Sequence, residues 1–106
     1  MLFDVRIYKV RPGKADAFNK LAREETLPLA TSVGHRIAAF GASEADEDTF
    51  YLVRSFESGE ERTRLLEALY ESEVWKHEYD LKVGEMIDQF QTAVIPSGEW
   101  WGASRE

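Results

Sequence analysis

Phe3-Asp4-Val5-Arg6-Ile7-Tyr8-Lys9-Val10 is the stretch whose reading decides the fold. Phe3, Val5 and Ile7 fall on one side of an extended chain, and Asp4, Arg6 and Tyr8 on the other. That period of two is the pattern of a half-buried strand. Arg11-Pro12-Gly13 stops it, since Pro cannot donate to a ladder and Gly accepts turn geometry. From Lys14 the period becomes helical, with Ala15, Phe18, Leu21, Ala22 and Leu29 near one face. Pro28 predicts a kink or a break, because it lacks an amide hydrogen and crowds the carbonyl of Glu24. Gly34 closes the element as a C′ residue.

The rest of the chain extends this opening. Arg36 to Ser43 is a weaker strand, and Thr49 to Phe56 (TFYLVRSF) the strongest strand signal, rich in aromatic and branched residues. Between them Glu44-Ala45-Asp46-Glu47-Asp48 reads as a solvated hairpin loop; it lacks the ligand spacing and the glycine of a calcium loop. Ser58 and Glu61 fit a capping box, and Leu65, Leu66, Leu69 and Tyr70 form the apolar stripe of the helix that follows. Ser72 restarts a helix with Trp75, Tyr79 and Val83 on one face, and Gly84 weakens or ends it. Met86 to Ile95 is a last strand stopped by Pro96. The order is that of a duplicated β-α-β unit: an α+β, ferredoxin-like βαββαβ fold with a four-stranded antiparallel sheet and helices on one face. Residues 1–96 form this domain, and 97–106 are a C-terminal tail holding Trp100 and Trp101.

Composition narrows the chemistry. A chain of 106 residues, 43% apolar and 31% charged, suits one globular domain. Zero cysteine excludes disulfide scaffolds, thiol nucleophiles and cysteine-based metal modules. A net charge of −7 opposes binding to a phosphate backbone, so no nucleic-acid partner is expected. No apolar run is long enough to span a membrane, and no signal sequence is read at Met1, so a soluble, cytoplasmic setting is expected.

Both faces of the expected sheet carry large apolar groups. Phe50, Leu52 and Phe56 oppose Tyr51 and Val53, while Ile87, Ala93 and Ile95 oppose Phe90 and Val94. One layer of helices covers one face only, so a homodimer with two sheets packed together is expected. Trp100 and Trp101 add a candidate contact surface, with a tail folded onto its own subunit as the alternative.

The residues also resemble a known family. Asp4-Val5-Arg6-Ile7-Tyr8 followed by Pro12-Gly13-Lys14 is similar to the entry of the NIPSNAP family, within the dimeric α/β-barrel group of ferredoxin-like folds. Phe56-Glu57-Ser58 with Arg62, and Trp75 with Tyr79, extend the resemblance to about Pro96. Asp4 stands where Glu is usual, and Arg54 where an aromatic is more typical. The resemblance implies the fold and a dimeric α/β barrel. Related barrels include cofactor-independent monooxygenases, haem-degrading enzymes and small-ligand isomerases or lyases, which is a prior from fold and no more.

Candidate site residues follow. Asp4, Arg6 and Tyr8 share a strand face and admit two readings: Arg6 and Tyr8 orient a small anionic or phenolic ligand, or Asp4 and Arg6 form an ion pair buried at the dimer interface. The second is preferred. A ligand pocket between sheet and helices is expected to be lined by Tyr8, Phe40, Arg54, Trp75 and Tyr79. Arg6 and Tyr8 are the candidate catalytic pair if the protein is an enzyme. His77, near Glu73 and Asp80, is read as a charged helix surface in preference to a metal ligand, and His35 as a helix-end cap. No metal and no cofactor is expected, and no nucleophile elbow or phosphate loop is present. The expected function is a homodimer binding a small apolar or aromatic molecule. The alternatives are a cofactor-independent monooxygenase or isomerase-like enzyme, and a structural dimer without a ligand.

Overall fold

The computed structural model describes residues 1–96 and 98. The tail at 97–106 with Trp100 and Trp101 therefore lies, apart from Gly98, outside the described residues. Strand β1 (Leu2–Val10) leads into helices α1 (Ala15–Leu21) and α2 (Leu27–Ser32), followed by the hairpin β2 (Arg36–Ala42) and β3 (Thr49–Phe56). Helix α3 (Gly59–Tyr70), helix α4 (Asp80–Met86) and strand β4 (Ile87–Pro96) complete the unit. The sheet order is β2-β3-β1-β4 with every neighbouring pair antiparallel, which is the ferredoxin-like arrangement.

Two helical stretches are wound as π-helix, Ala22–Thr26 between α1 and α2, and Trp75–Tyr79 before α4. The first resolves Pro28. Rather than a break, the helix widens ahead of the proline, and the Leu27 amide bonds the carbonyl of Ala22 five residues back. Pro28 then occupies the first turn of α2, where a missing amide hydrogen matters least. Gly34 follows at φ 109°, the left-handed geometry that closes the helix.

Local signals in the second half act as read, with small shifts. The Ser58 hydroxyl accepts from the Glu61 amide at 3.1 Å, and the Glu61 carboxylate reaches back to the amide of Glu57 rather than that of Ser58. Ser72 caps the next helix through the Trp75 amide at 3.1 Å. Gly84 does not end α4, which runs on to Met86. Its C-terminus is closed by Arg11, whose guanidinium donates to the carbonyls of Gly84 and Glu85. In the acidic loop Asp46 pairs with Lys9 and accepts from the Asp48 amide and the Thr49 hydroxyl. Those bonds, Lys9 first, hold its carboxyl down at about 2.

The faces of β1 are the reverse of the simplest expectation. The side bearing Asp4, Tyr8 and Val10 is the buried one, under the helices, while Ile7 on the apolar side is 42% exposed. On the covered side Tyr8 and Val10 join Phe18, Phe50 and Leu52 in one core cluster. A second cluster joins Ala30, Leu69 and Trp75.

His35 joins the helix end through its amide, which donates to the Ala30 carbonyl at 3.0 Å, while its side chain is a buried connector. It is 2% exposed, packs edge-on to Phe56, and its Nε2 lies 2.7 Å from the Leu65 carbonyl, leaving Nδ1 without a partner among the described residues. Burial lowers its pKa below the ordinary 6.5, with the Leu65 carbonyl opposing. The unfolded chain therefore takes the proton first as pH falls, and stability drops from about pH 6.5 downward. In a His77→Gln background, the urea midpoint is expected to fall between about pH 7.5 and about pH 5.5, and adding His35→Gln should flatten that slope. An unchanged slope in the double variant would remove His35 from the explanation.

Candidate functional site

The Asp4 carboxylate organises the buried polar groups. It is fully buried, with Arg54 Nη2 at 3.3 Å and Arg62 Nε at 2.8 Å. Arg54 is 1% exposed and reaches Asp4 from the facing position on β3, while Arg62 descends from the first turns of α3. A carboxylate can stay charged in such a place only because two guanidiniums replace its lost water. Tyr70, at the end of α3, extends the network. Its hydroxyl oxygen accepts from Arg54 Nη1 at 3.2 Å and from Arg6 Nη1 at 3.3 Å. Arg6 also donates to the Thr92 hydroxyl at 3.0 Å and lies 4.9 Å over the Phe90 ring.

Beside this network lies a space in two parts that share wall residues. The inner part is a small cavity of about 40 Å³, bordered by Tyr8, Phe40, Arg54, Tyr70 and Trp75 among others. That volume admits a water or two. The outer part is an open groove of about 740 Å³, lined by Arg6, Tyr8, Tyr70, Trp75, Val83 and Phe90 among others. Its volume lies within the range of small-molecule sites. Tyr8, Tyr70 and Trp75 border both parts. Both π-helical stretches contribute, Thr26 to the inner wall and Trp75 to both, and such widened turns often mark places where a helix re-aims a side chain. Trp75 is held by Tyr70, ring to ring at 4.9 Å, and by Tyr79 at 5.8 Å.

Burial pushes the Tyr8 hydroxyl up to about 12, the neighbouring Tyr70 adds to this, and Arg6 and Arg54 oppose it. At neutral pH it is a hydrogen-bond donor. His35 lines neither part of the space. His77 lies on the surface with Glu73 at 2.9 Å, and no group of three or more His, Asp or Glu among the described residues is placed to hold a metal ion.

The structure sorts the expected residues. Tyr8, Phe40, Arg54 and Trp75 come together around the inner cavity. Tyr79 lines neither part; it stands behind Trp75 and donates to the Glu25 carboxylate at 3.0 Å. Asp4 is fully buried within the chain, where its charge is met by Arg54 and Arg62. Arg6 likewise points under the helices toward Tyr70 and the groove, on the face opposite Ile7. Trp100 and Trp101 are not among the described residues. Sequence reasoning missed Tyr70 as the bridge between Arg6 and Arg54. Its place in the α3 stripe suggested packing, and a hydroxyl at the stripe's end was the available signal.

Comparisons place these features in context. The NIPSNAP family model matches residues 3–99. A search of curated proteins by sequence finds no match. Among solved structures, an uncharacterised NIPSNAP domain protein from Burkholderia xenovorans superposes with a TM-score of 0.82 at 16% identity, covering 91% of this chain and 93% of that one. A NIPSNAP family protein from Agrobacterium tumefaciens gives 0.83 at 18% identity, with 90% of each chain covered. An antibiotic biosynthesis monooxygenase gives 0.66 at 13% identity, covering 91% of this chain and 97% of that one. At such identities the likeness is one of fold.

Proposed function

The chain belongs to the NIPSNAP family, and from that premise we propose that it acts as a homodimer, each protomer binding a small apolar or aromatic molecule between its sheet and its helices. The observation that carries the binding reading is the two-part space under the helices, whose parts share Tyr8 and Trp75 as walls and whose outer part is open beside Phe90. A cleft of that kind, mostly apolar with a few convergent polar groups, is the usual form of a ligand site. Phe90 is 55% exposed although it lies across from Tyr8 on the helix side of the sheet, so a ligand would cover apolar surface that the protomer leaves open.

The dimer reading rests on the other face of the sheet. Ile7 and Tyr51, cross-strand partners, are 42% and 37% exposed, and Val5 pairs with both Val53 and Ala93 beside them. A two-fold pair packing these faces together would bury a contiguous apolar layer.

An oxygenase or isomerase activity is the second reading, from the shared fold with the monooxygenase. Proton abstraction needs a base near neutral pH. Tyr8 keeps its proton there, His35 is elsewhere, and the groove's carboxylates, Asp80 and Asp88, are exposed to water, so binding is favoured.

The ligand test uses Trp75 as reporter. In a Trp100→Phe/Trp101→Phe variant Trp75 is the sole indole, and neutral 4-nitrobenzyl alcohol should quench its emission along a saturating curve. Quenching that stays linear both for this alcohol and for its carboxylate analogue 4-nitrobenzoate, as for free tryptophan in solution, would rule out the site.

A further inference from the structure

The polar network around the groove is out of charge balance. Arg54 and Arg62 meet a single buried carboxylate, Asp4, and Arg6 adds a third guanidinium to the network through Tyr70, so three cations stand against one buried acid in a protein whose net charge is −7. Arg62 and Arg54 are both spent on Asp4, and Tyr70, a neutral acceptor, is all that links Arg54 to Arg6. Arg6 has no carboxylate within ion-pair distance among the described residues; its partners are the hydroxyls of Thr92, Tyr70 and Tyr8 and the face of Phe90. Behind Tyr70, Arg54 Nε is fully buried with no hydrogen-bond acceptor among the described residues. Buried donors of this kind are seldom left unmet in native proteins. The acids nearest the groove, Asp80 and Asp88, are exposed at its mouth, where water screens them.

We propose that the groove selects a monoanionic ligand, a small aromatic or aliphatic carboxylate, with its head on Arg6 beside the Tyr8 and Tyr70 hydroxyls and its apolar body along Trp75, Val83 and Phe90. This rests on the binding reading above and adds the charge class to it. A guanidinium matches a carboxylate in two parallel hydrogen bonds, and a hydroxyl held in its protonated form beside it supplies a third donor. Phe90, already under the Arg6 guanidinium, places an aromatic surface next to the head group. Binding would bring the missing negative charge to a site that the fold leaves cationic.

The test compares two ligands of one shape, 4-nitrobenzoate and 4-nitrobenzyl alcohol, by titration calorimetry and Trp75 quenching. The carboxylate should bind about tenfold or more tightly than the alcohol, as a charge-assisted hydrogen bond implies. Arg6→Gln should erase that preference, and Arg6→Lys should restore part of it. Both variants are checked for native unfolding, and Arg6→Lys carries the comparison if Arg6→Gln fails to fold. Equal affinities would overturn the charge assignment and leave the binding reading standing. A preference that survives Arg6→Gln would put the anion elsewhere and overturn it too. Saturable binding of neither compound would overturn both readings.

Discussion

Asp4→Ala is expected to cost about 3–5 kcal/mol of folding stability, the usual penalty for stranding a buried charge. The substitution removes a carboxylate that is fully buried and leaves Arg54, 1% exposed, with only the Tyr70 hydroxyl as hydrogen-bond partner among the described residues. Arg62 is less affected, because its side chain is 25% exposed and can turn to water. Since a domain of this size has roughly 5–15 kcal/mol in total, the loss would show as a large fall in the urea midpoint. The same physics predicts a rescue. Removing both charges, as in Asp4→Leu with Arg54→Met, should recover most of the loss, because apolar groups of similar volume need no partner. A change below about 1 kcal/mol for Asp4→Ala would mean that Asp4 is not the hub described.

The second large effect concerns assembly. Light scattering at micromolar concentration should give twice the 12.2 kDa of one chain. Ile7→Lys should return the single-chain mass while preserving the protomer's fold. Ile7 is 42% exposed in the protomer, so a lysine there meets solvent at little cost. In a two-fold pair it places two unpaired charges in the apolar layer, each costing several kcal/mol, enough to raise the dissociation constant by several powers of ten. A single-chain mass for the unaltered protein would overturn the dimer. A full dimer in Ile7→Lys would move the interface off this face.

Much of the architecture was legible because it is encoded locally. Alternation from Phe3 to Val10, the Ser58 cap and the apolar stripe at Leu65 and Leu69 are each set by neighbours a few residues apart. Pro28 was legible as a disturbance but not in kind. Whether a helix breaks, kinks or widens depends on what its apolar residues must reach, and here Leu21 and Ala30, on either side of the wide turn, both stay buried.

The site was legible in its residues and not in its arrangement. Tyr8, Arg54, Phe40 and Trp75 are read off as large or polar groups on regular elements, yet their convergence depends on pairs far apart in sequence. Asp4 meets Arg54 across 50 positions and Arg62 across 58. Alternation divides β1 into two faces without saying which lies inside, and hydrophobicity alone would have turned Phe3, Val5 and Ile7 inward. So the sequence by itself determined the elements, their order and the family. Only the tertiary structure decided that Asp4, Arg6 and Tyr8 lie under the helices. A carboxylate can be buried only where distant guanidiniums converge on it, and that convergence exists only once the sheet and α3 have come together.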